Sequence, residues 1–198
     1  MTVSIVEDDI TRLAEYARVP IGFTVAEVFD EHAVAALVDG QTPAATPVAS
    51  PYWKDYDAYP GGRPTDWPKV FDVSGWTRLA ASEDHQRVGG AVIIHDDPRI
   101  DLLRDYPHSA LVWDLRVAPE MRGRGVGSAL LDAAERVAIR RGAQAMLVET
   151  QQINVPACRL YARHGFRLER VLRGAYEDLP GELQLLWRKT LAGESSGR

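Results

Sequence analysis

From Val112 to Gly142 the chain reads VWDLRVAPEMRGRGVGSALLDAAERVAIRRG, and no other stretch restricts the fold as much. Leu111–Val117 alternates apolar and polar residues, the pattern of a half-buried strand. Ala118-Pro119 ends it, because proline cannot continue a strand ladder. Glycines at 123, 125 and 127 then leave the backbone N–H groups uncovered by side chains. Ala129, Leu130, Ala133, Ala134, Val137 and Ala138 follow at helical spacing, and Gly142 suits the position just past a helix end. The glycines therefore open a helix. Unpaired N–H groups and the positive end of the helix dipole face whatever lies on the loop, and Arg122 and Arg124 add charge. A phosphate or pyrophosphate is the expected ligand of Arg122, Gly123, Arg124, Gly125, Val126, Gly127 and Ser128. A dinucleotide fingerprint would need G-x-G-x-x-G, and a triphosphate loop would need Lys and then Ser or Thr after its last glycine. The chain has G-x-G-x-G followed by Ser128-Ala129, and fits both poorly. A turn that only links a strand to a helix is the plainer alternative.

At 198 residues the chain is expected to form one domain, 1–198, with a substantial core. A formal charge of −5 argues against a general nucleic-acid binder and weakly favours cationic substrates. A single cysteine, Cys158, excludes an internal disulfide and any multi-cysteine metal site, and the five histidines are scattered, so no metal is expected. Nothing resembles a signal peptide or a spanning segment, which makes a cytoplasmic protein without a membrane partner the default. Arginine and alanine enrichment gives a bacterial impression. A homodimer is left open.

In chain order, Thr2 to Val19 forms a short helix or a strand leading into one, Phe23–Phe29 a strand, and Glu31–Val38 a short helix. From Gln41 to Pro68 periodicity is lost and six of the twelve prolines fall there. Tyr52, Trp53, Tyr56, Tyr59 and Trp67 make it unlike a flexible linker, so 41–68 is expected to be an ordered lid. Within it Asp55 and Asp57 sit among aromatic rings, able to hold an ammonium by charge and cation–π contact, with Tyr52, Asp55 and Tyr56 as substrate-binding candidates. A packed cover with solvated carboxylates is the competing reading. Trp76–Ala81 and Val88–His95 read as a hairpin, with Gly89-Gly90 marking a bulge. Asp96–Ser109 is a polar link, Ala145–Thr150 a strand parallel to the Leu111 strand, Phe166–Leu172 and Glu182–Leu191 the last strands, and 192–198 a disordered tail.

A second signal lies between Glu149 and Phe166. Asn154 caps a helix of about two to three turns, and Asn154, Ala157 or Cys158, and Tyr161 fall one turn apart on one face. R-x-x-G-x-G between a strand and a helix, together with N-x-x-A-x-x-x-Y-x-x-x-G-F, resembles the GCN5-related N-acetyltransferases. The stretches ETQ-x-x-NVPAC-x-LYA-x-x-GF, EVFDEH (Glu27–His32) and SPYWKDY (Ser50–Tyr56) are similar to streptothricin N-acetyltransferases within that family. The resemblance implies an α/β fold, a mixed central sheet of about six to seven strands flanked by helices, its parallel central strands splayed around acetyl-CoA. It implies the diphosphate on the 122–128 loop, the pantetheine arm along Leu115, Arg116 and Val117 and near Asn154 and Ala157, and Tyr161 near the thioester as the acid for the leaving thiolate.

The expected reaction is direct acetyl transfer to a primary amine of a small cationic molecule. Such an amine is protonated at neutral pH and must lose a proton before attack. Glu149, which also counts as substrate-binding, and Asp114 are the candidate bases, each with a purely structural role as the alternative. Acetylation of protein N-termini or lysines, non-catalytic acyl-CoA binding, and partner binding through the 41–68 segment remain open.

Overall fold

The computed structural model describes residues 3–191, so the expectation for 192–198 lies outside the described residues. Its strands are β1 (Ser4–Asp8), β2 (Phe23–Val28), β3 (Thr46–Lys54), β4 (Thr77–Glu83), β5 (Gln86–His95), β6 (Ser109–Val117), β7 (Ala145–Gln151), β8 (Arg167–Leu172) and β9 (Gln184–Thr190). Its helices are α1 (Leu13–Tyr16), α2 (Glu31–Val38), α3 (Trp67–Val70), α4 (Asp101–Asp105), α5 (Val126–Arg140) and α6 (Val155–Arg163). Seven strands form one mixed sheet in the order β1-β4-β5-β6-β7-β9-β8, and β2 pairs with β3 in a separate ribbon. This is the α/β architecture expected from the sequence. Among the described residues no helix is long and apolar enough to cross a membrane.

The chain divides into two compact units, one built from 3–23, 55–146 and 191, the other from Thr24–Lys54 and Leu147–Thr190. In the first, β1, β4, β5 and β6 pair antiparallel in turn. The β4–β5 turn places Asp84 and His85 at positive φ, the two-residue geometry that matches the twist of flanking strands. A bulge falls at Val88, where Ala81 faces Gly89 and Ser82 faces Arg87, next to the expected position. Gly89 and Gly90 serve close approach instead. A Cβ on Gly89 would lie 2.8 Å from the Arg116 carbonyl and 3.3 Å from Leu130, and one on Gly90 would lie 2.6 Å from the Tyr16 ring. Their lack of side chains lets α5 and α1 lie close to the sheet.

The face of α5 that carries Leu130, Leu131, Ala133, Ala134, Val137 and Ala138 is buried, as its spacing requires. Gly142, at φ 80°, follows the helix end. The first unit also holds an aromatic cluster, buried at Tyr16, Trp67 and Trp76 and half-buried at Phe71 and Trp113: the Trp113 ring lies 5.3 Å from Phe71, 5.3 Å from Trp76 and 6.2 Å from Trp67, and Trp67 lies 6.2 Å from Tyr16.

The 41–68 segment is more regular than a lid. Its first part is β3, in the second unit; the rest, in the first unit, is a 3-10 turn at Tyr56–Ala58, another at Pro64–Asp66, and α3. Trp67 is a core residue. The Asp96–Ser109 link likewise contains α4, and β6 starts at Ser109. In the second unit α2 is capped by Asp30, whose carboxylate accepts from the Ala33 N–H at 2.9 Å and from the Thr46 hydroxyl at 3.0 Å. There β8 and β9 pair antiparallel.

Candidate active site

The strand–loop–helix element predicted to hold a phosphate lies in the first unit. Gly123 and Gly125 adopt φ 73° and 87°, the left-handed region where a side chain is strained, and Gly125 is the N-cap of α5. No side chain caps that helix, and a Cβ built on either glycine meets nothing within 4 Å. Residues 122–125 are exposed while Val126 is buried. Orphan N–H groups thus face open space at the positive end of a 15-residue helix, a geometry that suits an anion.

Arg122 does something other than expected. Its Nε donates to the Val117 carbonyl at 3.0 Å and its Nη2 to the Pro20 carbonyl at 3.2 Å. The side chain ties the loop to the end of β6, and desolvation holds its pKa below the usual value. Arg124 reaches the Met121 sulfur at 3.2 Å.

On β6, Val92 faces Asp114 and Ile93 faces Val112, which leaves Trp113 as the extra residue of a bulge. Leu115 and Val117 are half-buried, whereas Arg116 is 1% exposed. The Arg116 guanidinium donates to both Asp114 oxygens at 2.9 and 2.7 Å, to both Asp57 oxygens at 3.1 and 3.2 Å, and to the Val19 carbonyl at 3.1 Å. The hydroxyl of Tyr16, fully buried, donates to Asp114 Oδ1, and burial followed by the Asp114 charge raises that phenol's pKa well above normal. Arg116 also stacks 4.9 Å over the Tyr16 ring. Asp114 therefore already accepts three hydrogen bonds inside a closed ion pair, an environment that withdraws it from proton abstraction. The pairing had a readable signal: residues two apart on a strand share a face, and Asp114 and Arg116 are so spaced.

Asp55 and Asp57 do not form an open pair of carboxylates. Asp55 accepts from the Asp57 N–H at 3.0 Å and caps the 3-10 turn, while Asp57 is the Arg116 partner just described. Tyr56 stacks against Phe23 at 5.7 Å. Tyr52, on β3 in the second unit, is 44% exposed beside Trp53.

The second unit carries the other predicted residues. Asn154 caps α6, its Oδ1 accepting from the Ala157 N–H at 3.3 Å, and Pro156 occupies the first turn as the sequence implies. Cys158, one turn along from the cap, and Tyr161, about two turns along, are buried. The Tyr161 ring lies 5.9 Å from Phe166 and 6.3 Å from Trp187. Burial pushes the Cys158 thiol up to about 12, which leaves it a packing residue.

Glu149 is half-buried near the end of β7, and here the structure adds a residue that the sequence reading missed. The Tyr176 hydroxyl, from the β8–β9 loop, donates to Glu149 Oε1 at 2.6 Å and accepts from Gln151 Nε2 at 3.0 Å. The same loop is fastened by Gln152, which donates to the Gly181 carbonyl at 2.9 Å and accepts from the Leu183 N–H at 2.7 Å. A buried ion pair, Lys54 Nζ to Glu182 Oε1 at 2.6 Å, adds a third clip. No spacing rule connects Tyr176 with Glu149, so nothing local announced the contact.

Comparison with known proteins identifies the frame in which these residues sit. The sequence model of the acetyltransferase (GNAT) family matches residues 43–166, more than half of the chain. The chain belongs to that family. It is 28% identical to a streptothricin acetyltransferase of Escherichia coli over 190 residues, 94% of each chain. It is 35% identical over 91 residues to streptothricin acetyltransferase A of Bacillus subtilis (strain 168), where the match spans 45% of this chain and about half, 53%, of the relative. A Bacillus anthracis protein crystallised in complex with acetyl coenzyme A has the same fold, with TM-score 0.73 and 19% identity over 97% of this chain and 100% of that one. As an acetyltransferase-family (GNAT) chain, it carries the loop before α5 and the capped start of α6 at the positions the two motifs indicated.

Proposed function

We propose that this GNAT chain, acting as one catalytic domain, transfers the acetyl group of acetyl-CoA to a primary amine of a small, cationic, streptothricin-like molecule. The observation that carries the proposal is the bare, left-handed-glycine N-terminus of α5, a site for a diphosphate. Similarity to streptothricin acetyltransferases, over nearly all of the Escherichia coli chain, supports the acceptor class.

Bound acetyl-CoA supplies an activated thioester. The amides of Gly123 to Ser128 would hold its diphosphate and the backbone of Leu115 to Val117 its pantetheine arm; Asn154 and Ala157, at the start of α6 in the second unit, are the pantetheine contacts that the family resemblance implies. Tyr52, in the second unit, and Asp55 and Tyr56, in the first, are the proposed contacts for the cationic part of the acceptor. Glu149 Oε2 takes a proton from the acceptor ammonium and passes it to solvent, freeing the nitrogen lone pair; the N–C bond would then form as the C–S bond breaks, and the nitrogen's second proton would leave to solvent to give the neutral amide. Tyr161 gives the departing sulfur a proton and regains one from solvent. Asp114 is left out because Arg116 and Tyr16 hold its oxygens.

The test is thiol release from acetyl-CoA by the purified chain with streptothricin, polyamines, aminoglycosides and peptides bearing free N-termini. Turnover confined to small polycationic amines is the expected result. Turnover confined to peptides would move the acceptor to protein N-termini, and acetyl-CoA binding with no turnover would reduce the chain to an acyl-CoA carrier.

A further inference from the structure

We propose that Tyr176 is the positioning residue for Glu149, fixing which carboxylate oxygen takes the acceptor's proton. The inference rests on Glu149 as the base and concerns the second unit alone. The donor pattern settles the direction of the phenol. The Gln151 amide nitrogen can only donate, so at 3.0 Å it occupies a lone pair of the Tyr176 oxygen and turns the phenolic proton away from itself. That proton points to Glu149 Oε1, 2.6 Å away. Oε1 is thereby engaged and the carboxylate plane held, which leaves Oε2 as the proton acceptor. A base held in this way, by a group that is itself oriented by a third, follows the logic by which catalytic bases are aimed.

The phenol is also held in place along the chain. Tyr176 sits in the loop between β8 and β9, and that loop is tied at Gly181 and Leu183 to Gln152, the residue just after β7, and at Glu182 to buried Lys54. Glu149 and Gln151, its two partners, are two apart near the end of β7 and share a face of the strand. An oxygen poised between a strand carboxylate and a strand amide has little freedom to drift.

The experiment is a double-mutant cycle on the full chain with Tyr176→Phe and Glu149→Gln, measuring kcat and KM for acetyl-CoA and streptothricin. Wild-type turnover of streptothricin is measured first, and its absence overturns the reading on which this role stands. Tyr176→Phe is expected to lower kcat about tenfold, with the acetyl-CoA KM changed less than about twofold. In the Glu149→Gln background the same substitution is expected to cost nothing further, because there is no base left to aim. Unchanged kcat in Tyr176→Phe, or an equal loss in both backgrounds, overturns the positioning role while leaving Glu149 as base. Unchanged turnover in Glu149→Gln overturns both.

Discussion

Arg116 stands between two carboxylates and satisfies both, and its value to the protein follows from what its removal would strand. Asp114 and Asp57 lose their shared cation in Arg116→Ala, and an uncompensated buried charge costs about 3–5 kcal/mol. Urea unfolding is expected to show a loss of that size, whereas Asp57→Asn, at the more exposed end of the network, is expected to cost less than half as much. Equal losses would mean that the chain of charges does not act through its buried centre. At Cys158 the thiol sits at about 12, so at pH 8 only about one part in ten thousand is thiolate. Ellman's reagent is therefore expected to titrate no thiol in the native protein at pH 8 and one thiol after unfolding. Tyr161→Phe removes only a hydroxyl from a packed ring; if that hydroxyl protonates the departing thiolate, kcat falls at least tenfold, about 1.4 kcal/mol, while acetyl-CoA affinity holds. An unaltered kcat would remove Tyr161 from the acid role and leave it a core residue beside Trp187.

Elements were legible from the sequence wherever local chemistry dictates them. The start of α5 needs glycine at 123 and 125 because φ is positive at both, and those glycines, a proline-broken strand before them and a helical repeat after them were all visible as sequence. Gly125→Ala tests the element as a whole. Forcing a Cβ into the left-handed region costs about 1–2 kcal/mol, so either the protein is destabilised by that amount or the loop reshapes. Reshaping is expected to weaken acetyl-CoA binding, measured by calorimetry, whereas strain held with the loop intact is expected to lower only the thermal midpoint. Unchanged affinity with an unchanged midpoint would show that the left-handed glycine is not needed there. β3 was not legible because Pro47 and Pro51 interrupt its pattern, and a strand exposed along most of its length has no buried face to impose alternation. Tyr176 was illegible for a different reason. Its contact with Glu149 spans 27 residues and depends on the course of the β8–β9 loop, which composition does not encode. Asp57 was visible as a charge among aromatics, but its partner Arg116 lies 59 residues away, so the sequence left open a cation site and a packed cover with solvated carboxylates, and neither reading named the internal guanidinium that sits there.

At the scale of the whole molecule, the sequence offered no sign of two compact units, because their boundaries fall inside or at the ends of strands, after Phe23, Lys54, Met146 and Thr190, where no linker composition could stand. Charge gives the same chain a pH profile that can be argued in advance. As pH falls towards the isoelectric point near 5.5, net charge shrinks from −5 to zero, so general repulsion weakens and any loss of stability there must be local. One local source is His95, whose imidazole burial holds below its ordinary 6.5. Its neutral form favours the folded state, and that stability is full above the ordinary value and declines as pH falls through it to the lower folded value. A second is Asp8. Burial pushes its carboxyl up, but hydrogen bonds from Arg87 and the Asp9 N–H, with the charges of Arg78 and Arg87, outweigh that and hold it below 3.8. Its contribution is complete above 3.8 and is lost as pH falls through the lower folded value. Thermal midpoints between pH 8 and pH 2.5 are therefore expected to fall in two steps, a small one beginning near the histidine range and a larger one below about pH 4. His95→Gln should flatten the first step alone. Asp8→Asn should lower the midpoint at pH 7, and the gap to the wild type should narrow as pH falls below 3.8; curves that stay parallel throughout would show that Asp8 stabilises by shape and not by its charge.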